Sequence, residues 1–173
     1  MSSLPGRSAI LALTLLCCLT AGTTAAAQSP RADVGRDSGL ALPRFVSLGA
    51  ERIYMRTGPG KEFPIKWVYE KTGLPMQVIE ESDDWREVSD PDGETGWIHK
   101  SLLSGKRFLM VQHDVADLRR TPSDEAMVVA RVEPRVIAEM LNCQPVWCLV
   151  NIDDHRGWLA RRDVFGLLRD ELP

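Results

Sequence analysis

The sequence predicts an all-β fold made of two small tandem domains. From Arg44 onward, short runs in which apolar and polar residues alternate are broken about every 8–12 residues by residues that favour turns. No stretch places apolar residues at the 3.6-residue period of a surface helix over about ten positions. The runs also recur in the same order after about 60 residues, which is the pattern of a tandem duplication.

Four short blocks carry this repeat. Each block occurs once in the first half of the structured region and once in the second, at a nearly constant offset. The matched pairs are Tyr54–Pro59 with Ala116–Pro122, Glu70–Leu74 with Glu133–Val136, Trp85–Val88 with Trp147–Val150, and Gly96–Ile98 with Gly157–Leu159. We therefore expect one domain over residues 44–105 and a second over residues 106–173.

The first 27 residues have the composition of a secretory signal peptide. Arg7 is their only charged residue, Ala9–Leu19 is almost entirely apolar, and Ala25–Ala27 supplies the small residues of a cleavage site. The apolar run is shorter than the roughly 20 residues that cross a bilayer, so an uncleaved membrane anchor is the less favoured alternative. We expect residues 1–27 to be removed and the product to be exported and soluble, without a membrane segment.

Residues 28–43 are predicted to be a flexible linker. They are mostly small and polar, with balanced charge, two prolines and no aromatic side chain. A segment of this composition buries too little apolar surface to offset the conformational entropy that it loses on ordering.

Composition and motifs exclude several classes of function. The chain has 21 basic and 24 acidic residues and a formal net charge of −3, so it lacks the positive field that nucleic-acid binding needs. His99, His113 and His155 lack the paired spacing of a zinc site, and no GxSxG turn is present. Asp83-Asp84 precede a Trp strand and Asp153-Asp154 precede a Gly-Trp strand, where hairpin turns are expected. We expect no catalytic site, metal, cofactor or nucleic-acid partner.

Cys143 and Cys148 are predicted to form a disulfide. They flank a four-residue connection between two predicted strands, so they face each other if the strands form a hairpin. An oxidising compartment outside the cytoplasm lets the bond form, and the bond leaves neither thiol for a Cys–His hydrolase. The first repeat has Glu81 and Arg86 at the corresponding positions.

The repeated blocks resemble the bacterial SH3-like domain. The residues that carry the resemblance are Met55–Gly60 (MRTGPG), the strand that begins at Trp85, and Gly96–Leu103 (GWIHKSLL); the same order recurs as LRRTPS, WCLV and GWLARRDV. The resemblance implies two small, strongly bent β-barrels. It also implies binding, because such domains attach to the peptides of peptidoglycan and accompany wall hydrolases as targeting modules. Exported proteins with two such domains occur in Gram-negative bacteria, so the expected location is the periplasm, with the extracellular space as the alternative.

Aromatic residues are shared unevenly between the repeats. The first repeat holds seven and the second four, with Ala116 at the position of Tyr54 and Ala130 at that of Trp67. Because a domain of about 60 residues cannot easily bury seven rings, we expect some of them to form a recognition surface. The alternative is that half of these rings are core and the others are scattered or cover the partner domain. The candidate binding residues, on loops that border the groove of the family's fold, are Tyr54, Phe63, Trp67 and Trp85.

The predicted Gly-Trp strands carry three further residues of interest, Trp97, Trp158 and His99. Trp97 and Trp158 each follow a glycine on a predicted strand, which favours a core-facing anchor over a ligand contact. His99 follows Trp97 by two residues, where the second repeat has Ala160. It either edges a binding groove or is an ordinary residue at the barrel mouth, and the second interpretation is favoured.

The predicted function is that of a non-catalytic exported binding module. The first repeat is expected to bind cell-wall (peptidoglycan) peptide, and the second to stabilise or orient the first. The alternatives are a periplasmic protein–protein adaptor that uses the same face and an accessory subunit of a wall hydrolase. The expected partner is therefore a cell-wall peptide or a periplasmic protein, and the sequence leaves the oligomeric state open.

Overall fold

The computed structural model describes residues 33–171. The predicted signal peptide, residues 1–27, lies outside the described residues, as does the beginning of the predicted linker. Within the described residues the chain forms sixteen β-strands and two 3-10 helices of three residues each. None of the helices in this part is long and apolar enough to span a membrane. The predicted all-β class is confirmed.

A short hairpin precedes the first barrel. Its strands are β1 (Asp33–Val34) and β2 (Ala41–Leu42), which pair antiparallel. The part of the predicted linker (residues 28–43) that the structure describes thus contains a paired hairpin, and the flexibility of the segment stays a prediction. The turn of the hairpin surrounds the carboxylate of Glu81, which accepts hydrogen bonds from the backbone N–H groups of Asp37 and Ser38 (3.0 and 2.9 Å). These hydrogen bonds join the hairpin to the first barrel.

The first barrel is a seven-stranded antiparallel sheet in the order β5-β4-β8-β7-β6-β3-β9. A 3-10 helix (Lys100–Leu102) lies between the last two strands in chain order, β8 and β9. Strands 53–56, 85–89 and 95–99 of this barrel alternate buried and more exposed residues as the sequence pattern predicts. The core includes the fully buried side chains of Ile53, Met55 and Ile98. The strands are β3 (Arg44–Leu48), β4 (Ile53–Arg56), β5 (Ile65–Tyr69), β6 (Pro75–Ser82), β7 (Trp85–Ser89), β8 (Thr95–His99) and β9 (Leu103–Ser104).

The second barrel repeats this topology strand for strand. Its sheet has the order β12-β11-β15-β14-β13-β10-β16, and a 3-10 helix (Arg161–Asp163) occupies the equivalent place. Leu118, Val150 and Leu159 are among its fully buried core residues. The strands are β10 (Phe108–Val111), β11 (Ala116–Arg119), β12 (Val128–Val132), β13 (Ile137–Cys143), β14 (Trp147–Ile152), β15 (His155–Ala160) and β16 (Val164–Phe165). The internal repeat read from the sequence is thus a repeat of structure.

One hairpin position differs in chemistry between the barrels. Cys143 and Cys148 stand directly opposite each other on β13 and β14, with Cα atoms 4.1 Å apart, and form the predicted disulfide. At the same place in the first barrel, Glu81 stands opposite Arg86, and their side chains form a buried ion pair at 3.3 Å. A covalent bond and an ion pair therefore close equivalent hairpins.

The two barrels pack against each other through apolar and polar contacts. Phe45 and Phe165 meet edge to face with their ring centroids 5.0 Å apart, and Arg107 lies over the Phe45 ring. Met110 of β10 is buried within the core cluster of the first barrel. Arg135 donates two hydrogen bonds, at 2.9 and 3.0 Å, to the carboxylate of Asp92 across this contact. The described residues consequently form one compact unit rather than two independent ones.

Candidate functional site

The candidate site lies on the outer face of three adjacent strands of the first barrel. Trp85 on β7 stands directly opposite His99 on β8, and Trp97 on β8 stands opposite Arg56 on β4. Because residues opposite each other on paired strands share a face, these side chains all lie on one side of the sheet. Tyr54, two residues before Arg56, lies on the same side.

A cleft of about 310 Å3 opens on this face. Two aromatic side chains, Tyr54 and Trp85, form its walls together with His99, whose ring meets the Trp85 ring edge to face at 5.4 Å between centroids. Arg56 and Lys61 contribute two positive charges, and none of the lining side chains is acidic. The complete lining is Tyr54, Arg56, Lys61, Trp85, His99, Ser101 and Leu102. The cleft therefore combines aromatic surface with net positive charge.

Local hydrogen bonds hold two of these side chains in place. Nδ1 of His99 accepts the backbone N–H of Ser101 at 3.3 Å and so caps the 3-10 helix that follows β8. In the neutral imidazole this leaves the proton on Nε2. The Arg56 guanidinium donates to the carbonyl oxygen of Phe63 at 2.7 Å, which fixes it against the β4–β5 loop. Both side chains thus have a defined position before any ligand is bound.

The structure brings together two of the four predicted binding residues. Tyr54 and Trp85 both line the cleft, and Tyr54 is 38% exposed. Phe63 lies in the β4–β5 loop, where its ring packs so closely on Gly58 that a Cβ atom there would collide with it. Trp67 stands opposite Met55 and therefore lies on the other face of the β4–β5 hairpin from Tyr54. Phe63 and Trp67 do not line the cleft, and ligand binding by any of the four stays a prediction.

Trp67 has its own polar partner on that other face. Its indole N–H donates to Oε2 of Glu94 at 3.5 Å, and Lys66 forms an ion pair with the same carboxylate at 3.0 Å. The hydrogen bonds from Lys66 and Trp67 hold the pKa of Glu94 below its usual value. The indole is nevertheless 48% exposed.

The prediction that Trp97 and Trp158 are core-facing anchors is wrong. Ile98 and Leu159, the residues after them, are fully buried, so strand alternation turns both indoles to the outer face. The preceding glycine is the inward residue, because a Cβ at Gly96 would collide with Met55. The glycine, rather than the tryptophan, was the signal for close packing in the core.

Sequence reasoning also missed most of the polar lining of the cleft. The sequence favours His99 as an ordinary residue at the barrel mouth, whereas in the structure its side chain lines the cleft. Arg56, Lys61 and Ser101 were not among the predicted residues. Arg56 had a detectable signal, because it lies two residues after Tyr54 on the same strand. Lys61 and Ser101 come from a loop and a 3-10 helix, whose positions a strand pattern does not specify.

The equivalent surface of the second barrel is occupied by ion pairs. The residue at the position of Tyr54 is Asp117, and not Ala116 as the sequence alignment suggested; Ala116 is buried at the position of Ile53. Asp117 pairs with Arg119 at 2.9 Å. Asp124 and Arg162, which take the places of Lys61 and Ser101, pair at 3.1 Å. Charge neutralisation and the loss of tyrosine and histidine remove the cleft chemistry from this barrel.

The aspartate pairs serve as turns, as the sequence predicted. Asp83, Asp153 and Asp154 adopt positive φ angles of 52°, 46° and 66° in the tight hairpin turns. Oδ1 of Asp90 accepts the backbone N–H groups of Asp92 and Glu94 at 2.9 and 2.8 Å, which closes the β7–β8 turn. Across residues 33–171, no three His, Cys, Asp or Glu side chains are grouped closely enough to hold a metal ion.

Comparison with known proteins agrees with this architecture. The sequence profile described as the bacterial SH3 domain matches twice, over residues 49–105 and 112–166. The chain belongs to the bacterial SH3 domain family. The two matched regions fall on the two barrels, and the cleft lies within the first of them. Bacterial SH3 domains are binding domains.

Several solved structures resemble this bacterial SH3 protein distantly. They include NlpC2 and NlpC1 from Trichomonas vaginalis, each 12% identical with a TM-score of 0.34, and an NlpC/P60 family protein from Bacillus cereus, 14% identical with a TM-score of 0.32. The matches cover 75%, 76% and 70% of this chain but 50%, 48% and 55% of those structures. The chain thus spans about half the length of the proteins that it resembles. No curated protein matches the sequence.

Proposed function

We propose that this protein is a non-catalytic module of the bacterial cell wall, and that the cleft of the first barrel binds the peptide part of peptidoglycan. The observation that carries the proposal is the composition of the cleft, with Tyr54 and Trp85 beside Arg56 and Lys61. Membership of a family of binding domains supports it, since the family resemblance implies recognition of wall peptides.

The chemistry of the cleft suits a short peptide that carries carboxylates. Aromatic side chains cover the aliphatic parts of a ligand with little loss of their own conformational entropy. Arginine binds a carboxylate through two parallel hydrogen bonds, and lysine adds a second positive charge. Peptidoglycan stem peptides present small alkyl side chains and free carboxylates. Tyr54 and Trp85 then contact the alkyl groups, while Arg56 and Lys61 bind the carboxylates.

Export belongs to the same proposal. The predicted signal peptide would carry the chain out of the cytoplasm, and the disulfide between Cys143 and Cys148 suits an oxidising compartment. The proposed location is the periplasm, where wall peptides are accessible.

Co-sedimentation with purified peptidoglycan sacculi tests the proposal. The protein that lacks residues 1–27 is expected to bind saturably. Tyr54→Ala and Trp85→Ala are each expected to weaken binding about tenfold, because buried aromatic contacts are typical binding hot spots. Far-UV and near-UV circular dichroism of the variants checks that they fold.

Trp67→Ala is the matched control. Trp67 is an exposed aromatic residue of the same barrel that does not line the cleft, so its loss should leave binding unchanged. If Trp67→Ala weakens binding and the two cleft variants do not, the site lies on the other face of the β4–β5 hairpin. If the wild-type protein fails to sediment with sacculi, the cell-wall proposal is wrong and the adaptor alternative replaces it.

A further inference from the structure

The second barrel has a larger hollow than the first barrel has at the equivalent place, where Tyr69, Leu74 and Asp90 line a pocket of about 220 Å3. This hollow has a volume of about 410 Å3 and lies beside β12 and the β14–β15 turn. Its apolar lining consists of Leu118, Ala130, Val132, Val136 and Ile152, and His155 lies at its rim. None of these residues corresponds to a residue that lines the cleft of the first barrel.

Two substitutions between the repeats account for the larger volume of the hollow in the second barrel. On β5 of the first barrel, Trp67 stands opposite Met55 and Tyr69 stands opposite Ile53. On β12 of the second barrel, the same ladder positions hold Ala130, opposite Leu118, and Val132, opposite Ala116. An indole and a phenol are thus replaced by a methyl and an isopropyl group. The smaller side chains leave more open space in the second barrel than the two aromatic side chains leave in the first.

The polar partner of the phenol is also replaced. In the first barrel the Tyr69 hydroxyl donates to Oδ2 of Asp90 at 2.9 Å. Asp90 follows Ser89, which pairs with Thr95, and Ile152 follows Asn151, which pairs with Arg156. The strand register therefore places Ile152 where the first barrel has Asp90. The hollow is therefore lined by the apolar Ile152 at the point where the first barrel has Asp90, which accepts the Tyr69 hydroxyl.

The second barrel does have a hydrogen-bond acceptor at the position of Glu94, the partner of the Trp67 indole, although the residue is different. Glu94, which accepts the Trp67 indole N–H, corresponds in register to His155. Nδ1 of His155 lies 2.9 Å from the carbonyl oxygen of Asp153, and since a carbonyl only accepts, Nδ1 is the donor. In the neutral ring this leaves Nε2 as an acceptor at the rim of the hollow. The second barrel therefore has an acceptor, Nε2 of His155, but Ala130 supplies no indole to donate to it.

We propose that this hollow is a second binding site, which takes a tryptophan side chain presented by a partner polypeptide. The indole ring would pack against Leu118, Ala130 and Ile152, and its N–H would donate to Nε2 of His155. This site follows from the differences between the two barrels and is independent of the proposed function of the first-barrel cleft.

An NMR titration with N-acetyl-tryptophanamide tests the proposal on the protein that lacks residues 1–27. We expect saturable amide shifts at Leu118, Ala130 and Ile152, with millimolar affinity, since a single ring gives a small binding energy. N-acetyl-phenylalaninamide, which has no N–H on its ring, should bind about tenfold more weakly. The absence of shifts at these residues at about 10 mM ligand would overturn the proposal.

Ala130→Trp is the decisive variant, because it places in the second barrel the indole that Trp67 supplies at the same ladder position of the first. It is expected to weaken binding more than tenfold, whereas Val146→Trp, which adds an indole to an exposed turn outside the hollow, should leave it unchanged. His155→Leu should remove the preference for tryptophan over phenylalanine and keeps the test valid if Ala130→Trp does not fold. Unchanged binding and preference in the folded variants would also overturn the proposal.

Discussion

Glu81 of the first barrel has a carboxylate with several hydrogen-bond and ion-pair partners. Its carboxylate is buried and accepts hydrogen bonds from Ser38, Asp37 and Arg44, the last at 2.7 Å, and it pairs with Arg86. Burial alone raises the pKa of this carboxyl, but the hydrogen bonds from Ser38, Arg44 and the backbone of Asp37 outweigh burial and lower the pKa to about 2. This residue joins the amino-terminal hairpin to the barrel.

The pH dependence of stability follows from this lowered pKa. A carboxyl whose pKa is lower in the folded than in the unfolded chain stabilises the fold above the unfolded value, here about 4.5. The contribution, on the order of 3 kcal/mol, is lost as the pH falls from about 4.5 to about 2. Glu81→Gln should therefore lower the free energy of unfolding at pH 7 by about that amount and flatten the acid limb of the stability profile. Urea denaturation at several pH values measures both effects.

Glu51→Gln is the matched control for this variant. Glu51 is an exposed carboxylate at the start of the turn before β4, so its neutralisation should change stability by less than about 0.5 kcal/mol. If the two variants have the same stability and the same acid limb, the Glu81 network does not stabilise the fold in the way described.

Several residue-level features were beyond sequence reasoning. The contact of residues 33–43 with the first barrel includes hydrogen bonds between Ser38 and Glu81, which are 43 positions apart in the chain. Composition describes a segment by itself and does not reveal such a distant partner. The orientation of Trp97, in contrast, was available from strand alternation once Gly96 was recognised as the inward residue.

At the scale of elements, the closing hairpin of the second barrel depends on its disulfide. The bond between Cys143 and Cys148 joins β13 to β14, and Cys148 is fully buried. The equivalent hairpin of the first barrel uses the Glu81–Arg86 ion pair instead. Sequence spacing predicted the disulfide because the two positions face each other when the flanking strands pair as a hairpin. The structural role of the ion pair was not predicted.

Reduction of the disulfide should destabilise the second barrel. Closure of so short a loop contributes roughly 2 kcal/mol by the chain-entropy estimate. The free energy of unfolding, measured by urea denaturation with and without dithiothreitol, should fall by about this amount on reduction. The double variant Cys143→Ser/Cys148→Ser should have the stability of the reduced protein and no response to dithiothreitol. An equal stability of the oxidised and reduced wild-type protein would contradict this role.

The candidate cleft shows how much of a site strand patterns can specify. Tyr54 and Trp85 were predicted from aromatic excess, and they lie together because β4, β8 and β7 are neighbours in the sheet. Trp67, which is predicted with them, lies on the opposite face of the β4–β5 hairpin from Tyr54. The strand register determines which face a side chain occupies, and the sequence alone does not give the register. The positive charge of the cleft comes from Arg56 and Lys61, which meet only in three dimensions.

At the scale of the whole molecule, the two barrels share buried surface. Phe45 is only 7% exposed because Phe165 of the other barrel covers it, and Met110 of the second sheet belongs to the first core. Each repeat of about 60 residues is marginally stable alone, so burial between the repeats adds to both. The duplication was predictable from the sequence, whereas this packing was not, because the interface residues differ between the repeats.

The interface predicts cooperative unfolding. The wild-type protein should unfold in a single calorimetric transition, with the van't Hoff enthalpy equal to the calorimetric enthalpy. Phe165→Ala removes the ring that packs on Phe45 and should lower stability by about 2 kcal/mol and separate the transition into two. Phe63→Ala, which removes a half-exposed ring from a loop of the first barrel, is the control and should keep one transition. Two transitions in the wild-type protein would show that the barrels are energetically independent.

Binding of wall peptide in the cleft between Tyr54 and Trp85 can be followed residue by residue in an amide NMR titration. The titrant is a soluble stem peptide released from peptidoglycan, added to the protein that lacks residues 1–27. We expect saturable shifts at Tyr54, Arg56, Trp85 and His99, and none at Asp117, whose ion pair replaces the cleft in the second barrel. Shifts confined to other surfaces, or no shifts at saturating peptide, would contradict binding in this cleft.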